Sequence, residues 1–500
     1  MDRIGKLTAM AVIGLFLAGL CTAAPDRIIY VDGDARGTND GTSWANAFPF
    51  LQDALAAARA DADVRGEPKP VEIRIAKGVY RPDQGAGAAS GNRETTFNIP
   101  NGAVLKGGYF GGGPHTFNSR NPQLYRTILS GDLKGNDADD GDVKNLASDP
   151  TRSDNSIYVI TSRDNSSATV LDGLVITGGT RAGLSCIDSS LVVIDCVFIR
   201  NSTTTDGGAL RQEKTGSPAL TRCTFTANWA RQFGGALYIE GGITLTDCVF
   251  TSNCAQSGGA ISGRFVLGNC LFENNTAETG GAARSDCLGP GFVNCTFFAN
   301  RADDGICIAL GPCGIRSTPE VTMTSCILWE SGSIAATPAT KAVAGAITYS
   351  LIQGGWPGDG NIDTGPHFAA PGHWDPNGTR DNPDDDVWIS SDYHLKSQAG
   401  RWDPAGNKWV QDDVTSPCID AGDPQAAIGL EPFPNGGAVN MGVFGGTAEA
   451  SKSYFGKPPC PTIIAGDING DCKVNMADLD ILMRHWLEGG DEPEPPRGRR

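Results

Sequence analysis

The sequence has few basic residues, because 40 Lys and Arg stand against 57 Asp and Glu and give a formal net charge of −17 at pH 7. Nucleic acids and anionic membrane surfaces are recognised through a basic protein face, since both carry dense negative charge. The charge balance therefore argues against nucleic acid and against an anionic membrane surface as partners. It suits a secreted protein that is exposed to Ca²⁺.

Long apolar runs are also scarce. One covers residues 9–20, after Arg3 and Lys6 and before the small residues at 21–24. This arrangement predicts a secretory signal over residues 1–24, since the apolar run is too short to span a bilayer. No later run approaches the roughly 18 residues that a membrane-spanning helix needs. We therefore expect a secreted chain, extracellular or at the cell surface, without a membrane span.

Helical periodicity is absent between residues 196 and 300, which disfavours a helical solenoid. The same stretch repeats the pattern Cys-x-Phe-x-x-Asn, and the five copies begin at Cys196, Cys223, Cys248, Cys270 and Cys295. Gly-Gly-Ala follows the first four copies, beginning at Gly207, Gly234, Gly258 and Gly280. Repeats of about 20 to 50 residues indicate stacked structural units.

The content of each repeat predicts strands. Residues between the glycines and the next cysteine alternate and are rich in β-formers, as in 236–240 and 243–250. A unit of about 23 residues holds three strands of roughly 4 to 5 residues with their turns, which is one coil of a parallel β-helix. Each coil would add about 4.8 Å to an all-β solenoid.

Stacking in register would turn the repeated residues into ladders. Phe and Cys lie two residues apart on one strand face, so both should fill the interior. Asn tolerates a left-handed backbone, so we expect it in a tight turn with its amide stacked from coil to coil. Gly-Gly should give the second corner the freedom that residues with a Cβ lack.

The cysteines of the repeats are predicted to be buried free thiols. Neighbours about 4.8 Å apart satisfy the Cα separation of a disulfide but not its roughly 3.8 Å Cβ separation. A sixth, looser copy begins at Cys326. Cys307 with Cys313 is the better disulfide candidate, and no Cys-x-x-Cys pair or His partner supports a zinc site.

As a set, the Phe-x-x-Asn and Gly-Gly-Ala elements of residues 190–310 resemble the repeats of the polymorphic outer membrane proteins of bacterial surfaces. That resemblance implies a right-handed parallel β-helix over the regular repeats, for which we take residues 151–350. It also implies a non-catalytic cell-surface or adhesion role.

Residues 25–150 are predicted to form an N-terminal cap and the first coils. An apolar stripe of helical spacing is formed by Phe50, Leu51, Ala54, Leu55 and Ala58. A helix laid across the first coil would close the open strand edge and core of a solenoid. The segment from Gly41 to Leu55, with the later AKGVYRP and ILSGD, resembles the opening of secreted bacterial β-helix proteins.

Two further segments have alternative interpretations. Asp132–Asp142 is interpreted either as a Ca²⁺ loop or as a solvated acidic loop. Residues 351–450 are expected to form irregular closing coils and a cap, because 392–395 and 416–422 resemble the last coils of secreted β-helices and 440–446 the final strand and turn. Tryptophans here either stack on sugars or cover the core; they are Trp356, Trp374, Trp388, Trp402 and Trp409.

Beyond a linker at 451–462, residues 463–490 show a metal-binding pattern, and 491–500 are expected to be a disordered tail. Oxygen ligands stand at the positions of an EF-hand loop, where Lys473 offers its carbonyl; they are Asp467, Asn469, Asp471, Lys473, Asn475 and Asp478. An amphipathic helix follows. The segment resembles one half of a type I dockerin, which implies a small α-helical, EF-hand-like calcium module.

The dockerin resemblance also bears on the partner. Cys472 replaces the loop glycine, a single repeat is present, and Met476 and Ala477 stand where cohesin-reading dockerins often carry Ser and Thr. A cohesin-like partner is therefore expected to bind weakly. A disulfide between Cys460 and Cys472 would staple the loop.

Two functions remain open from the sequence. The first is a secreted, carbohydrate-associated protein that binds polysaccharide along the β-helix and, if enzymatic, acts as a polysaccharide lyase or glycoside hydrolase. The second is a non-catalytic protein bound to a cell-surface component. Outward-facing candidates for a catalytic group do not repeat together; they are Asp206, Arg211, Lys214, Arg231 and Arg264.

Overall fold

The computed structural model describes residues 25 and 27–454, except for 66–70, 86, 113–118, 139–141, 287–289, 306, 312–320, 331–333, 337–345, 376–386 and 391, together with the isolated residues 474, 476, 479, 482 and 483. The predicted signal, the six predicted calcium ligands and the tail at 491–500 lie outside the described residues, as do Cys313, Cys460 and Cys472.

The described residues form short β-strands, one continuous α-helix, α1 (Leu51–Arg65), and two 3₁₀ helices at Val143–Asn145 and Pro150–Asp154. The isolated residues 476, 479, 482 and 483 are also helical. The early strands are β1 (Arg27–Val31), β2 (Val71–Ala76), β3 (Gly78–Tyr80), β4 (Phe97–Asn98), β5 (Ala103–Tyr109) and β6 (Thr127–Ser130). The central strands are β7 (Tyr158–Arg163), β8 (Val170–Asp172), β9 (Leu174–Thr177), β10 (Ala182–Ile187), β11 (Val192–Ile194), β12 (Val197–Ile199), β13 (Ser202–Thr203), β14 (Leu210–Glu213), β15 (Ala219–Thr221), β16 (Thr224–Thr226), β17 (Trp229–Ala230), β18 (Leu237–Thr246), β19 (Val249–Thr251), β20 (Ile261–Gly268), β21 (Leu271–Glu273), β22 (Ala283–Asp286), β23 (Gly291–Val293), β24 (Thr296–Phe298), β25 (Ile308–Gly311), β26 (Thr322–Thr324), β27 (Ile327–Trp329), β28 (Ile334–Ala336), β29 (Ile347–Thr348) and β30 (Leu351–Ile352). The last strands are β31 (Phe368–Ala370), β32 (His373–Asp375), β33 (Val387–Ile389), β34 (Asp392–Leu395), β35 (Arg401–Asp403) and β36 (Lys408–Val410).

The strands from β1 to β30 form three long parallel ladders, apart from β13 and β17, which pair only with each other. The long strands β18 and β20 belong to both the first and the second ladder. The first ladder runs through β4, β7, β10, β14, β18, β20, β22, β25 and β28. The second runs through β1, β2, β5, β8, β11, β15, β18, β20, β23, β26 and β29. The third runs through β3, β6, β9, β12, β16, β19, β21, β24, β27 and β30. The chain is therefore an all-β solenoid, a right-handed parallel β-helix, as the repeats predict.

The repeated phenylalanines form one stack inside the solenoid. Phe198, Phe225, Phe250, Phe272 and Phe297 are all buried. Neighbouring rings have centroids 4.7 to 5.0 Å apart and lie within 11° of parallel. This separation equals the spacing of strands in a sheet, because each ring sits on the ring of the coil below. The predicted interior Phe ladder is confirmed.

The repeated cysteines lie beside this stack as buried free thiols at 196, 223, 248, 270, 295 and 326. Burial raises the pKa of the Cys196 thiol to about 12. The thiols therefore act as small apolar groups that also donate to backbone carbonyls, as Cys223 Sγ does to Thr221 O at 3.4 Å.

The repeated asparagines form a hydrogen-bonded amide ladder. Each Nδ2 donates to the Oδ1 of the next coil, at 3.2, 3.0, 3.0 and 2.9 Å in turn from Asn201 to Asn300. Each Nδ2 from Asn228 onward also donates to a Phe carbonyl oxygen of the preceding coil at 2.9 Å. The ladder ends at Glu330, whose Oε1 accepts from Asn300 Nδ2 at 2.9 Å.

The expected left-handed backbone of these asparagines is wrong by one residue. Positive φ falls on the preceding position, at Arg200, Ala227, Ser252, Asn274 and Ala299, with values of 52 to 56°. The Asn backbone stays outside this region because its own N–H must reach the Oδ1 of the next coil, as Asn253 N does to Asn275 at 3.0 Å. A positive φ costs alanine about 1 to 2 kcal/mol, which the amide ladder offsets.

The first glycine of each Gly-Gly pair has positive φ, as at Gly234 (62°) and Gly258 (66°). The second glycine permits close stacking. A Cβ on Gly259 would lie 2.1 Å from the carbonyl oxygen of Gly281 in the next coil. Both glycines are therefore required at this corner, for different reasons.

Helix α1 buries the predicted stripe of Leu51, Ala54, Leu55 and Ala58 in the main core and contacts β1, β2 and β4. Phe50 departs from the prediction, because it precedes the helix and is 39% exposed. The described part of the chain contains no helix with the length and apolar character needed to cross a membrane.

The chain after residue 365 does not form the predicted closing coils. Strand β34 pairs antiparallel with β31, and β32 with β33 and β35 with β36 form two further antiparallel pairs. Residues 416–422 and 440–446 form turns and bends rather than coils or a final strand. We call residues 366–454 the lateral segment.

The lateral segment covers the outer side of the third ladder. Its Phe368, Tyr393 and Met441 share a core with Leu271 and Ile327, which point outward from that ladder. Buried Glu273 accepts from Tyr393 Oη at 2.7 Å. The outward apolar residues of β21 and β27 explain this arrangement, since they would otherwise face water.

Replacing Asn253 by alanine should strongly destabilise the solenoid. The substitution leaves the buried Phe225 carbonyl and the Asn228 amide without their partners, and each such loss costs about 1 to 3 kcal/mol. We expect a loss of on the order of 3 kcal/mol or more in the free energy of unfolding, measured by urea denaturation. Exposed Gln232→Ala is the matched control and should change little. Equal midpoints for the two variants would contradict a structural role for the amide ladder.

Glu330 should make stability depend on pH. Burial raises its pKa from the ordinary 4.5 to about 7, although hydrogen bonds from Cys307 and Asn300 oppose the shift. The folded state thus binds the proton more tightly, so the stabilisation is complete below pH 4.5 and is lost as the pH rises through about 7. Relative to Glu330→Gln, the parent should lose on the order of 3 kcal/mol across this range. Parallel stability profiles of the two proteins would refute the assignment.

Candidate functional site

The outer face of the first ladder carries a row of residues in register. Ser185, Arg211, Tyr238, Ser262 and Arg284 stand one coil apart in that order. They point outward because strand residues alternate, and Leu210 and Leu237 next to them are fully buried. Arg211 and Arg284 are three coils apart, or about 14 Å along the axis.

Two aromatic rings lie between the two guanidinium groups of this row, Tyr238 from the row itself and Phe233 from an adjacent turn. Arg211 lies over the ring of Tyr238 at 5.5 Å, and Tyr238 stacks on Phe233 with ring centroids 6.4 Å apart. Arg284 lies 4.7 Å from the centre of the Phe233 ring. Such contacts are worth about 0.5 to 1 kcal/mol each at exposed sites, so they hold the four side chains in one arrangement.

Beside the row, the turns that precede the Gly-Gly corners form the wall of a cavity of about 290 Å³. Its polar lining includes Gln256, Glu278, Arg284 and Asp304, and its apolar lining includes Phe233. The Gln256 amide donates to Glu278 at 3.2 Å. The row and the cavity together are called the first-ladder groove, defined by Asp206, Arg211, Glu213, Phe233, Tyr238, Glu278, Arg284 and Asp304.

Arg211 is held by carboxylates on two sides. Its Nε donates to Glu213 at 2.6 Å, and its Nη1 donates to Asp206 at 3.2 Å. Burial alone would lower the pKa of Arg211, but the hydrogen bond to Glu213 raises it above the ordinary value. The guanidinium is thus a fixed, fully charged group whose donors are largely used within the protein.

The structure brings together only two of the five outward candidates named from the sequence, Arg211 and Asp206. Lys214 follows the last residue of β14, and its Nζ donates to Asp188 at 2.9 Å. Arg231 and Arg264 are exposed at the surface. Within the described residues, no group of three or more His, Cys, Asp and Glu side chains could hold a metal ion.

Sequence reasoning missed Phe233, Tyr238 and Arg284. The outward position of Tyr238 could have been predicted from the sequence, because it lies between the inward residues Leu237 and Ile239 of an alternating strand. Phe233 directly precedes a Gly-Gly corner, and its position beside Tyr238 depends on where that corner turns the chain.

In the acidic segment from Asp132 to Asp142, the described carboxylates of Asp132 and Asp137 are used within the protein. Asp132 accepts from the backbone N–H groups of Gly135, Asn136 and Asp137. Asp137 pairs with Arg152 at 2.9 Å. These contacts favour the acidic-loop interpretation over a calcium loop.

The tryptophans of the lateral segment pack mainly against one another. Trp374 pairs with Trp388 and Trp402 with Trp409 across two hairpins, with centroids 5.5 and 5.6 Å apart. Trp356 packs against the main core. Trp409 is 36% exposed, and Lys452 Nζ lies 4.1 Å from its ring centre. Of the five, Trp356 therefore covers the core, and the other four rings pack in pairs across hairpins.

A comparison with protein families agrees with the β-helical fold of the coils. The profile of a family described as "Right handed beta helix region" matches residues 155–331, which contain the five repeats. A second profile, described as "Disaggregatase related", matches residues 382–422 of the lateral segment. No curated protein matches the sequence.

Solved structures to which this chain is similar include that of the pectate lyase Pel9A, with 13% identity and a TM-score of 0.41. The match covers 85% of this chain and 97% of the pectate lyase chain. Pectin methylesterase from carrot has 12% identity and a TM-score of 0.31, covering 69% of this chain and 90% of the other. A double mutant of the tailspike protein of E. coli bacteriophage HK620 has 11% identity and a TM-score of 0.25, covering 63% and 62%.

Proposed function

We propose that this protein is secreted and binds polysaccharide chains along the first-ladder groove. The observation that carries the proposal is the continuous set of contacts from Arg211 through Tyr238 and Phe233 to Arg284 along the outer face of the first ladder. An aromatic ring matches the apolar C–H face of a sugar, and the carboxylates and guanidinium groups beside it match sugar hydroxyls. A row that follows the solenoid axis suits an extended polymer better than a compact ligand.

Binding without cleavage is the form of this proposal that the side chains favour. Glycoside hydrolases need one carboxyl group that protonates the leaving oxygen and a second that acts as base or nucleophile. Of the four groove carboxylates, Asp206 and Glu213 both pair with Arg211, and Glu278 accepts from Gln256 at 3.2 Å, so three are engaged within the protein. This supports a non-catalytic surface protein, the role that the resemblance to polymorphic outer membrane protein repeats implies.

We also propose that α1 closes the N-terminal end of the solenoid. Its buried face lies against β1, β2 and β4, which belong to the first coils. A cap at this position would cover core residues such as Ile73 and shield a strand edge from pairing with other chains.

The C-terminal module is proposed to bind Ca²⁺ through the oxygen ligands named from the sequence. Three aspartates, two asparagines and one carbonyl at EF-hand spacing suit this ion. Affinity should be weaker than in a typical dockerin loop, because Cys472 has a Cβ where the loop prefers glycine. The module would anchor the protein to a cell-surface component, with a cohesin-like partner bound only weakly.

Tyr238→Ala should weaken polysaccharide binding. Removing one stacking ring should cost about 1 to 1.5 kcal/mol, or roughly five- to ten-fold in Kd. Affinity electrophoresis and calorimetry with a panel of polysaccharides would measure it. Trp409→Ala is the matched control, since Trp409 is an exposed ring outside the groove. Loss of binding in Trp409→Ala alone would move the site to the lateral segment.

Calcium binding is tested by calorimetry on the full chain. We expect the heat of Ca²⁺ addition to disappear in Asp467→Ala, because the first loop position supplies a carboxylate ligand. Asp142→Ala is the control for the other acidic segment. The Asp142 side chain is exposed and accepts a hydrogen bond from the Lys144 backbone N–H at 3.0 Å. Heat that survives in Asp467→Ala and is lost in Asp142→Ala would place the ion in that segment instead.

A further inference from the structure

We infer that the first-ladder groove selects uncharged polysaccharides and rejects polyuronates and sulfated glycans. The inference rests on the proposed function, since it concerns the ligand class of the same groove. The observations behind it are that two carboxylates already neutralise Arg211 and that Arg284 shares its cavity with two more, those of Glu278 and Asp304.

Arg211 offers little to an anionic ligand. Its Nε and one terminal nitrogen are bound to Glu213 and Asp206 at 2.6 and 3.2 Å. A ligand carboxylate that accepted from a remaining N–H would lie close to these two carboxylates and be repelled by them, and they are held in place by the sheet and by an adjacent turn. An uncharged sugar hydroxyl meets no such repulsion, and it can accept from a remaining N–H while both ion pairs stay intact.

Arg284 has a comparable environment. Its guanidinium lies over the Phe233 ring, and the same cavity is lined by Glu278 and Asp304. An anion that approached Arg284 would also approach these two carboxylates. Their repulsion acts at short range in a partly desolvated cavity, where it is screened less than at an open surface.

The net charge of the whole groove is negative, so it also opposes an anionic ligand. Four carboxylates, those of Asp206, Glu213, Glu278 and Asp304, stand against the two guanidinium groups of Arg211 and Arg284. Just beyond the groove, Glu240 and Arg264 are exposed on β18 and β20 and cancel formally. The protein as a whole carries −17. A polymer with a negative charge on every sugar is therefore repelled during approach as well as on contact.

The remaining contacts fit neutral sugars. Tyr238 and Phe233 present ring surface, and carboxylates accept two hydroxyl hydrogen bonds without an ion pair being broken. Ser262, which lies between Tyr238 and Arg284 in the row, is small and is buried beneath its neighbours. The groove thus offers apolar and hydrogen-bonding surface, and both of its guanidinium groups lie near carboxylates.

The test compares uncharged polysaccharides (a β-glucan, a xylan and a galactomannan) with polygalacturonate and alginate on the full chain by affinity electrophoresis. The runs are made at low and high ionic strength, with and without Ca²⁺. We expect at least one uncharged polysaccharide to retard the protein at both ionic strengths, and neither polyuronate to do so.

The double variant Asp206→Asn with Glu213→Gln should gain retardation by polygalacturonate, because it releases the Arg211 guanidinium. The gain should be about ten-fold in apparent affinity and should fall with salt. Unchanged melting of the variant establishes that it is folded. The matched control Asp188→Asn releases Lys214, which lies outside the groove, and should not gain binding.

The outcomes separate the two proposals. Stronger retardation of the parent protein by a polyuronate than by every uncharged polysaccharide, with or without Ca²⁺, overturns the selectivity and leaves polysaccharide binding standing. Failure of every polysaccharide to retard the protein overturns both. Retardation by uncharged chains without any gain in the double variant overturns the role assigned to the carboxylates around Arg211.

Discussion

The register between successive coils is the constraint on which the rest of this molecule depends. It is held by the amide ladder from Asn201 to Asn300, in which each side chain accepts from the backbone and side chain of one neighbour and donates to another. A slip of one residue would break all of these bonds and turn the Phe stack outward. Because the ladder lies inside the solenoid, water cannot replace the lost partners. The cost of a shift is therefore spread over every coil.

Register also explains how a repetitive interior supports a varied exterior. Inward positions must match from coil to coil, and they do so in the Phe and Cys ladders. Outward positions have no such requirement, and the three ladders differ. Leu271 and Ile327 make the third ladder apolar on its outer side, and the lateral segment covers them. The first ladder carries Arg211, Tyr238 and Arg284 outward, and these remain partly exposed.

Charge in the groove is organised locally rather than by the net charge of the chain. Arg211 lies between two carboxylates that come from different parts of its coil. Asp206 belongs to a turn and Glu213 to the end of the same strand as Arg211, so both fold onto the guanidinium from opposite sides. A surface that combines aromatic rings with paired charged groups is polar enough to remain solvent-exposed and still offers ring surface for contact.

The sequence by itself determined the solenoid, because the spacing of Phe198, Phe225 and Phe250 admits one stacking of coils, and Gly234 and Gly258 mark its corners. It did not reveal which residue of the turn takes positive φ, since Ala227 and Ser252 do so only because the asparagine after each is held by its hydrogen bonds. It also misplaced residues 392–395, which look like a coil but pair antiparallel beside the third ladder. That choice depends on apolar residues more than 60 positions away, such as Ile327 and Leu271. The groove was likewise decided by tertiary structure, because Arg211, Phe233 and Arg284 come from three separate coils and meet only when the coils are stacked.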